Sequence, residues 1–421
     1  MRATRSVLQP FRGLRIDSLL CDCLALTYNA MRYGKENSIT SRKGMNGFYR
    51  SMKGMELASC YKVAVITRAC AVLKSREKTT KRGVRTGHPK PLRPMVCIIS
   101  GFFVTAKGRL FIPLERRNEY ADVVLNRHTR EAIQGKELRS LTITSGSISL
   151  CYSAEVEPTP VRAVFGVDRN EKNLTFGNRE GVVQVDLSKT VRIRQTTREV
   201  VGSFRRNDVR VRRRVASKHW KRARDRTGQL LHAVTNFAIE LAMKDGAALA
   251  LEDITNIRKM YQRGDGQGTD FRFRMNSWPY AKAYRQLEYK SGWNGITFVP
   301  LTKAETRGSS STHWSCGERL RRPERGDQEH RRMLWCQRCK VWVDRDVNAA
   351  LVLSTRGLSR FDSSLLLPGG AQQHLAGEEG LAGEAVKGNG AATAPILRVD
   401  ASKLLGRRGP GFDSPGRGPK S

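Results

Sequence analysis

Long apolar runs are missing from this sequence. Nowhere do about 18 apolar residues follow one another, which excludes a membrane-spanning helix. Acidic residues are scarce: 39 Asp+Glu stand against 76 Lys+Arg, giving a formal net charge of +37 over 421 residues. Solubility does not need so large an imbalance; it points to a polyanionic partner, usually nucleic acid. A regular cysteine framework is also missing. Six of the nine cysteines (Cys21, Cys23, Cys60, Cys70, Cys97 and Cys151) are scattered, so a disulfide-stapled fold is excluded and a reducing compartment is expected. Arg2 and Arg5 precede an apolar stretch, Ile16 to Leu26, but Asp17 and Asp22 interrupt it, so no signal peptide is expected. What remains is a chain long enough for two or three domains, with 39% hydrophobic residues to build their cores. Composition alone also fits a basic, partly disordered protein such as a ribosomal factor. The patterned acids described below argue against that reading.

The first 160 residues alternate between helical and strand patterns. An apolar stripe of Leu19, Leu20, Leu24, Leu26 and Met31 predicts a helix over 11–34, and a second helix is expected over Gly47 to Leu73. Residues 76–94 are basic, Pro-containing and aperiodic, and read as a loop or arm. Two hairpins follow, one turning at Lys107-Gly108 and one at Ser145-Gly146, with a helix expected between them from Asn118 to Ala132. The Pro158-Thr159-Pro160 punctuation closes this region. AVFGVDRN, KNLTFGN and GVVQVDL then read as three short antiparallel strands opening a layered α/β unit. ALALE and GITFVPL are further buried strands, the basic loop after Glu252 extends to Asn276, and NSWPYAKAYRQLEYKSGW is an amphipathic helix. Residues 361–421 read as a low-complexity tail in which PILRVDASKLL could form one strand and GRRGPGFDSPGRGPKS is disordered.

Between Arg205 and Arg226 lie eleven Lys+Arg in 22 residues. Asn207-Asp208 can cap a helix there, which continues through Leu230, Leu231, Val234, Phe237, Ala238 and Leu241 as a buried stripe. The charged first half is expected to meet phosphates, each contact releasing counterions. Arg205, Arg206, Arg210, Arg212, Arg213, Arg214, Lys218, Lys221 and Arg222 are the candidate nucleic-acid contacts; a solvated face is the alternative.

His313-x2-Cys316 and Cys336-x2-Cys339 are separated by 19 residues. Two short-spaced pairs of this kind complete a tetrahedral zinc site, because each two-residue turn presents both side chains to one ion. No ligand position is left open, so the expected role is structural, one Zn²⁺ per chain. The alternative is a reduced, metal-free cluster.

Three acids stand at telling positions: Asp168 ends the first strand of the α/β unit, Glu252 ends a later one, and Asp346 begins the helix after the ligand pairs. A lone acid at a strand end is usually a cap. Three in one layered domain of a strongly basic chain suggest oxygen ligands for Mg²⁺. Two such ions could activate water and stabilise the leaving oxygen of a phosphodiester. Asp253 points to the opposite side of its strand from Glu252. Asp344 could assist or merely cap, and Asp346 is preferred to it because it directly precedes the VNAAL helix start.

FGVDRNEKNLT, LALEDITNI, the H/C-x2-C…C-x2-C insertion and DRDVNAA, in that order, resemble the TnpB (OrfB) proteins of insertion sequences, compact relatives of type V CRISPR effectors. The resemblance is specific over 161–354 and loose over 1–160. It implies an α+β multidomain protein. An N-terminal β-barrel (wedge) with a helical insertion would occupy 1–160. A RuvC-like RNase H fold, a mixed sheet with helices, would occupy 161–306 and 341–360, interrupted by a zinc-ribbon-like insertion at 307–340. The N-terminal region is short for the family, so the first barrel strand is either missing, which would put guide or motif binding in doubt, or lies within Met1 to Pro10. His313 departs from the family pattern, standing where a Cys is usual. The resemblance implies an RNA-guided DNA endonuclease with Asp168, Glu252 and Asp346 as its catalytic acids. Its partners would be a guide RNA from the element and a double-stranded DNA target, with sequence reading delegated to base pairing. A monomer in a prokaryotic cytoplasm, associated with the nucleoid, is expected. The alternatives are a non-catalytic RNA-guided binding or transposition accessory protein, an RNase H-fold transposase working without RNA, and a plain zinc-ribbon DNA-binding protein, which would leave the three acids unexplained.

Overall fold

The computed structural model describes residues 1–11, 16–81, 83, 85–91, 93–114, 119–204, 208–254, 266–361, 383–386 and 394–406. The chain divides into two compact units, Arg2–Glu155 and Val156–Ser421, the latter including Met1.

In the first unit, β1 (Arg2–Pro10) is followed by α1 (Asp17–Glu36), α2 (Asn46–Ser51) and α3 (Ser59–Lys81). One helix was expected where α2 and α3 now stand, but tight turns around Gly54 divide it. α3 also runs into the basic segment read as a loop, where Glu77 and Lys81 pair at 2.7 Å one turn apart. The strands β2 (Met95–Ile98), β3 (Phe103–Val104), β4 (Arg109–Pro113) and β5 (Tyr120–Val124) come next. They are followed by α4 (Arg127–Ile133), β6 (Glu137–Thr144) and β7 (Ser147–Glu155).

The helix expected over 118–132 is therefore half strand. Tyr120–Val124 is β-branched enough to pair along β4. The helix starts only at Asn126, whose side chain accepts from Thr129 N at 2.7 Å as an N-cap. The strands form no single barrel sheet. A four-stranded sheet ordered β1-β7-β6-β2 stands apart from a three-stranded one, β3-β4-β5. Gln9 of β1 bridges them, donating to Val124 O and accepting from Asn126 N. β1 pairs with β7 along its whole length, Arg2 opposite Glu155 and Pro10 opposite Ser147.

The second unit is built on a mixed sheet. β8 (Ala163–Arg169), β9 (Asn173–Asn178) and β10 (Gly181–Asp186) form an antiparallel meander. α5 (Ser188–Gly202) follows, and a wide helical turn, Val211–Ala216, leads into α6 (Ser217–Lys244). β11 (Ala247–Glu252) lies parallel to β8. The basic segment after Glu252, read as a loop to Asn276, ends in a helix, α7 (Thr269–Ser277); its residues 255–265 lie outside the described residues. α8 (Tyr280–Trp293) and β12 (Phe298–Leu301) come next, then the small hairpin of β13 (Met333–Cys336) and β14 (Val341–Asp344), and α9 (Arg345–Leu358). The last strands are β15 (Gly383–Val386) and β16 (Ile396–Asp400). The sheet order is β12-β11-β8-β9-β10-β16-β15.

The strand expected within PILRVDASKLL is present as β16, but it joins the central sheet, which corrects the reading of that segment as part of a tail. Residues 362–382, 387–393 and 407–421 lie outside the described residues. Residues 396–400, by contrast, pair parallel to β10, Val182 opposite Ile396. Leu397 and Val399 alternate into the core, joined by Ala401 and Leu404 of the 3-10 turn that follows.

The alternation of side chains along β8 and β11 decides where the acids point. Phe165, Val167, Leu249 and Leu251 face α6, packing with Leu230, Val234 and Phe237. Val164, Ala248 and Ala250 face the other way, toward Leu353 of α9. Asp168 continues the Val164-Gly166 face and Glu252 the Ala248-Ala250 face. Both acids therefore lie on the face that carries α9.

Candidate active site and metal centre

β8 and β11 are buried on both faces, and their parallel pairing places Leu251 opposite Val167, setting Glu252 beside Asp168 at the carboxyl ends of adjacent strands. α9 brings the third acid. It can lie directly on β8 because Gly166 has no side chain: a Cβ there would stand 1.9 Å from Ala350 O and 2.3 Å from Ser354 N. Ser354 fastens the contact, its hydroxyl donating to Val164 O at 2.7 Å. Further along, a Cβ on Gly357 would meet Ala250 Cβ at 2.4 Å. Small residues thus let the helix seat its first turn, and Asp346, over the strand end that carries Asp168.

Asp346 is only 2% exposed. Its Oδ2 accepts from Asn173 Nδ2 at 2.8 Å and also from the Arg332 guanidinium, while Arg345 Nε lies 3.5 Å from Oδ1. Asp168 accepts from Asn170 Nδ2 at 2.7 Å. Glu252 accepts from Thr306 Oγ1 at 3.2 Å, and its backbone carbonyl accepts from Arg169. Arg169, on the opposite face, also reaches Tyr280 O and lies over the Tyr284 ring, so α8 anchors the strand end bearing Glu252. Asp344 is the N-cap of α9, accepting from Asp346 N at 2.9 Å and Val347 N at 3.1 Å. Its carboxylate is engaged by the backbone, whereas that of Asp346 is bonded by Asn173 and Arg332 and bears on the charge of Asp168.

Burial, and then the neighbouring charge of Asp346, push Asp168 up to about 7 from an ordinary value of 3.8. A folded carboxyl that keeps its proton longer than the unfolded one makes stability fall as pH rises, here between about 4 and 7. The fully ionised site is thus an unfavourable concentration of negative charge that a cation would relieve. Asp168 and Glu252 end adjacent strands on one face, and the charge of Asp346 reaches Asp168. In metal-free buffer, Asp168→Asn is expected to be more stable than wild type at pH 8 and indistinguishable from it near pH 4, by urea unfolding. Equal midpoints at pH 8 would refute this electrostatic account.

The metal-ligand candidates also converge. One donor atom each from His313, Cys316, Cys336 and Cys339 lies within 4.8 Å of all the others. Cys316 Sγ is 3.5 Å from Cys336 Sγ and 3.2 Å from His313 Nδ1, close to the roughly 3.7 Å edge of a tetrahedron with zinc–sulfur bonds of about 2.3 Å. His313 is 1% exposed and its pKa is lowered by burial, which keeps the imidazole neutral and able to ligate. Hydrogen bonding with Cys316 pushes Cys339 up to about 11, while Cys316 sits below its ordinary value. Leu320, Leu334 and Val343 form a small core beneath the cluster.

The cluster is tied to the acids through Asn348, which is 1% exposed and lies half a turn after Asp346. Its side chain donates to Thr312 O at 2.8 Å and Ser309 O at 3.3 Å, and accepts from Trp314 N at 3.0 Å. The loop carrying His313 is therefore clamped onto the helix carrying Asp346.

Of the candidate nucleic-acid contacts, Arg210, Arg213, Arg214, Lys218, Lys221 and Arg222 are exposed on the wide turn and on α6. The predicted cap is present, with Asp208 accepting from Val211 N at 3.0 Å. Arg205, Arg206 and the Arg212 side chain lie outside the described residues. Sequence reasoning missed Asn170, Asn173, Arg169, Thr306, Asn348 and Arg332. The first two lie within segments read as strands, AVFGVDRN and KNLTFGN, and only their spacing after Asp168 could have marked them. Arg332 was one of many basic residues between the ligand pairs.

Among the described residues no helix is long and apolar enough to cross a membrane. Residues 280–353 match the family model described as Cas12f1-like, TNB domain. A TnpB-like protein of Methanocaldococcus jannaschii is 27% identical over 226 residues, covering 52% of this chain and 77% of that protein. The solved structure of the mini-RNA-guided endonuclease CRISPR-Cas phi3 matches with a TM-score of 0.32 and 11% identity, over 56% of this chain. The match covers 54% of that protein, so the chain spans about half its length. The matched domain, Tyr280 to Leu353, carries the four clustered ligands and Asp346, and over this domain and the stretch shared with the Methanocaldococcus protein the chain is similar to TnpB-like proteins.

Proposed function

We propose that this chain is a transposon-associated, RNA-guided DNA endonuclease with one RuvC-like site formed by Asp168, Glu252 and Asp346. The observation that carries the reading is the placement of Asp168 and Glu252 at the ends of adjacent strands, on the face that carries α9, with Asp346 close enough to raise the pKa of Asp168. A sheet of three antiparallel strands extended by parallel β11 and β12 suits an RNase H-like domain. Its acids would hold divalent cations, Mg²⁺ by the chemistry of the donors, which when bound supply Lewis-acid activation of water and stabilisation of the leaving oxygen.

The chain's own groups prepare the site. Asn173 and Arg332 fix Asp346, Asn170 orients Asp168, and Thr306 steadies Glu252. His313, Cys316, Cys336 and Cys339 would hold one structural Zn²⁺. The exposed arginines and lysines of 210–222 would follow the backbone of a guide RNA or its DNA target, and the protein would act as a monomer in the cytoplasm on nucleoid DNA. The test is cutting of duplex DNA by protein loaded with RNA from its own locus. Cutting should require Mg²⁺, require the RNA, and fall to background in Asp168→Ala. Guide-loaded protein that binds its target and never cuts it would overturn the reading.

A further inference from the structure

A cleft of about 440 Å³ opens between the β9–β10 end of the sheet and β16, lined at one end by the two residues that bond Asp346. Lys172, Arg332, Arg398 and Lys403 line it, together with the polar side chains of Asn173 and Gln184. Arg332 and Asn173, at one end, are the two groups bonded to the Asp346 carboxylate. Arg398 and Lys403 come from β16 and the turn after it, the segment that adds a strand at the β10 edge; Gln184 and Arg398 are direct neighbours across that pairing. Two carboxylates also line the cleft, Asp186 and Asp400. Each is turned to its own backbone: Asp186 accepts from Ser188 N at 2.9 Å, and Asp400 from Ser402 N and Ser402 Oγ, both at 2.7 Å. Four cations against two capped acids leave the cleft net positive, and Lys172, Arg332, Arg398 and Lys403 are all exposed.

We propose that this cleft seats the backbone of a nucleic-acid strand next to the acids, with Arg398 and Lys403 as phosphate contacts that position it. The proposal rests on the nuclease reading for the meaning of Asp346 but not for the binding itself. Guanidinium and ammonium groups spaced along a polar groove suit successive phosphates. Arg332 pairs with a buried carboxylate while its own side chain is 56% exposed. It therefore stands where it can reach either Asp346 or a phosphate in the cleft. The charge that the strand end lacks on its own is delivered by two segments distant in sequence, the arm between the zinc-ligand pairs and residues 396–403.

The test uses the full chain and a fluorescent single-stranded DNA oligonucleotide, titrated across a salt series in EDTA-free buffer without Mg²⁺. Arg398→Glu/Lys403→Glu is expected to weaken binding at least tenfold and to reduce the salt slope by about 1.4, two contacts at about 0.7 each for a single strand. Lys43→Glu/Lys53→Glu changes the net charge equally from exposed sites in the other compact unit, and is expected to have a smaller effect. Equal effects of the two pairs would overturn the proposal. Should the first pair fail to fold, photocrosslinking of wild-type protein to a thio-thymidine oligonucleotide decides: crosslinks within 394–406 support the cleft, and crosslinks found only elsewhere overturn it. Normal cutting by a variant that binds normally would sink the proposal and spare the nuclease reading. Weakened binding in a chain that never cuts would do the reverse.

Discussion

Replacing Gly166 with alanine is expected to unseat α9 and disable the site while leaving all three acids in the sequence. The new Cβ would meet Ala350 O and Ser354 N, backbone atoms of a buried helix, at 1.9 and 2.3 Å. No rotamer relieves a clash with backbone, so the helix must move off the strand. Overpacking of a filled core usually costs about 1–3 kcal/mol, and a clash against helix backbone belongs at or above the upper end. Displacement also breaks the Ser354–Val164 bond and draws Asp346 away from Asp168. Urea unfolding should show a lowered midpoint for Gly166→Ala, and cutting should be lost with it. Gly202→Ala is the control, since nothing lies within 4 Å of a Cβ there. A Gly166→Ala midpoint equal to that of wild type would show that the close approach is not required.

The strands and acids of the second unit were legible because β8 and β11 are short buried runs with an acid at the end, bounded by turn residues. Alternation along a strand then fixes which face the acid takes. Asp253 illustrates the gain. One residue past Glu252, it lies toward Arg169 and Tyr284, whose ionisation it influences, on the opposite face from Asp168. β16 was harder to place. ILRVD is a plausible strand in isolation, but only its parallel pairing with β10, more than two hundred residues upstream, explains why Leu397 and Val399 are buried. Pairing at such a separation leaves no local signal.

The same holds for Arg332, whose partner is settled by the β13–β14 hairpin: Met333 pairs with Asp344, bringing the residue before one strand against the residue after the other. In the first unit the misreadings were local. Tyr120–Val124 has apolar residues at spacings a helix could also use, and its pairing with β4 decided for strand. Short apolar runs are ambiguous in this way whenever the partner is unknown.

Loss of the zinc ligands is expected to disable the acids from a distance. Cys336 is 0% exposed and its Sγ is one of the four clustered donors, 3.5 Å from Cys316 Sγ and 3.4 Å from Cys339 N. Cys336→Ser replaces a thiolate by a hydroxyl that ligates zinc poorly. Structural zinc in small peptides contributes about 10–16 kcal/mol of apparent folding free energy. The knuckle has only the small core around Leu320, Leu334 and Val343 to replace it, so 307–340 should lose its fold. The consequence travels through Asn348, whose three hydrogen bonds hold the His313 loop on α9, and through Arg332, which leaves Asp346 when the arm comes free.

Purified wild-type protein should therefore carry one zinc per chain by atomic absorption, and Cys336→Ser much less. The variant should be cleaved by trypsin within the arginine-rich arm under conditions that spare wild type, and should not cut DNA at any Mg²⁺ concentration. His313→Cys should retain zinc, because a thiolate at that position completes the same tetrahedron. Wild-type protein that contains no zinc and keeps its proteolytic pattern in a zinc-selective chelator would remove the metal from this account. The link from Asn348 would then have to stand on packing alone.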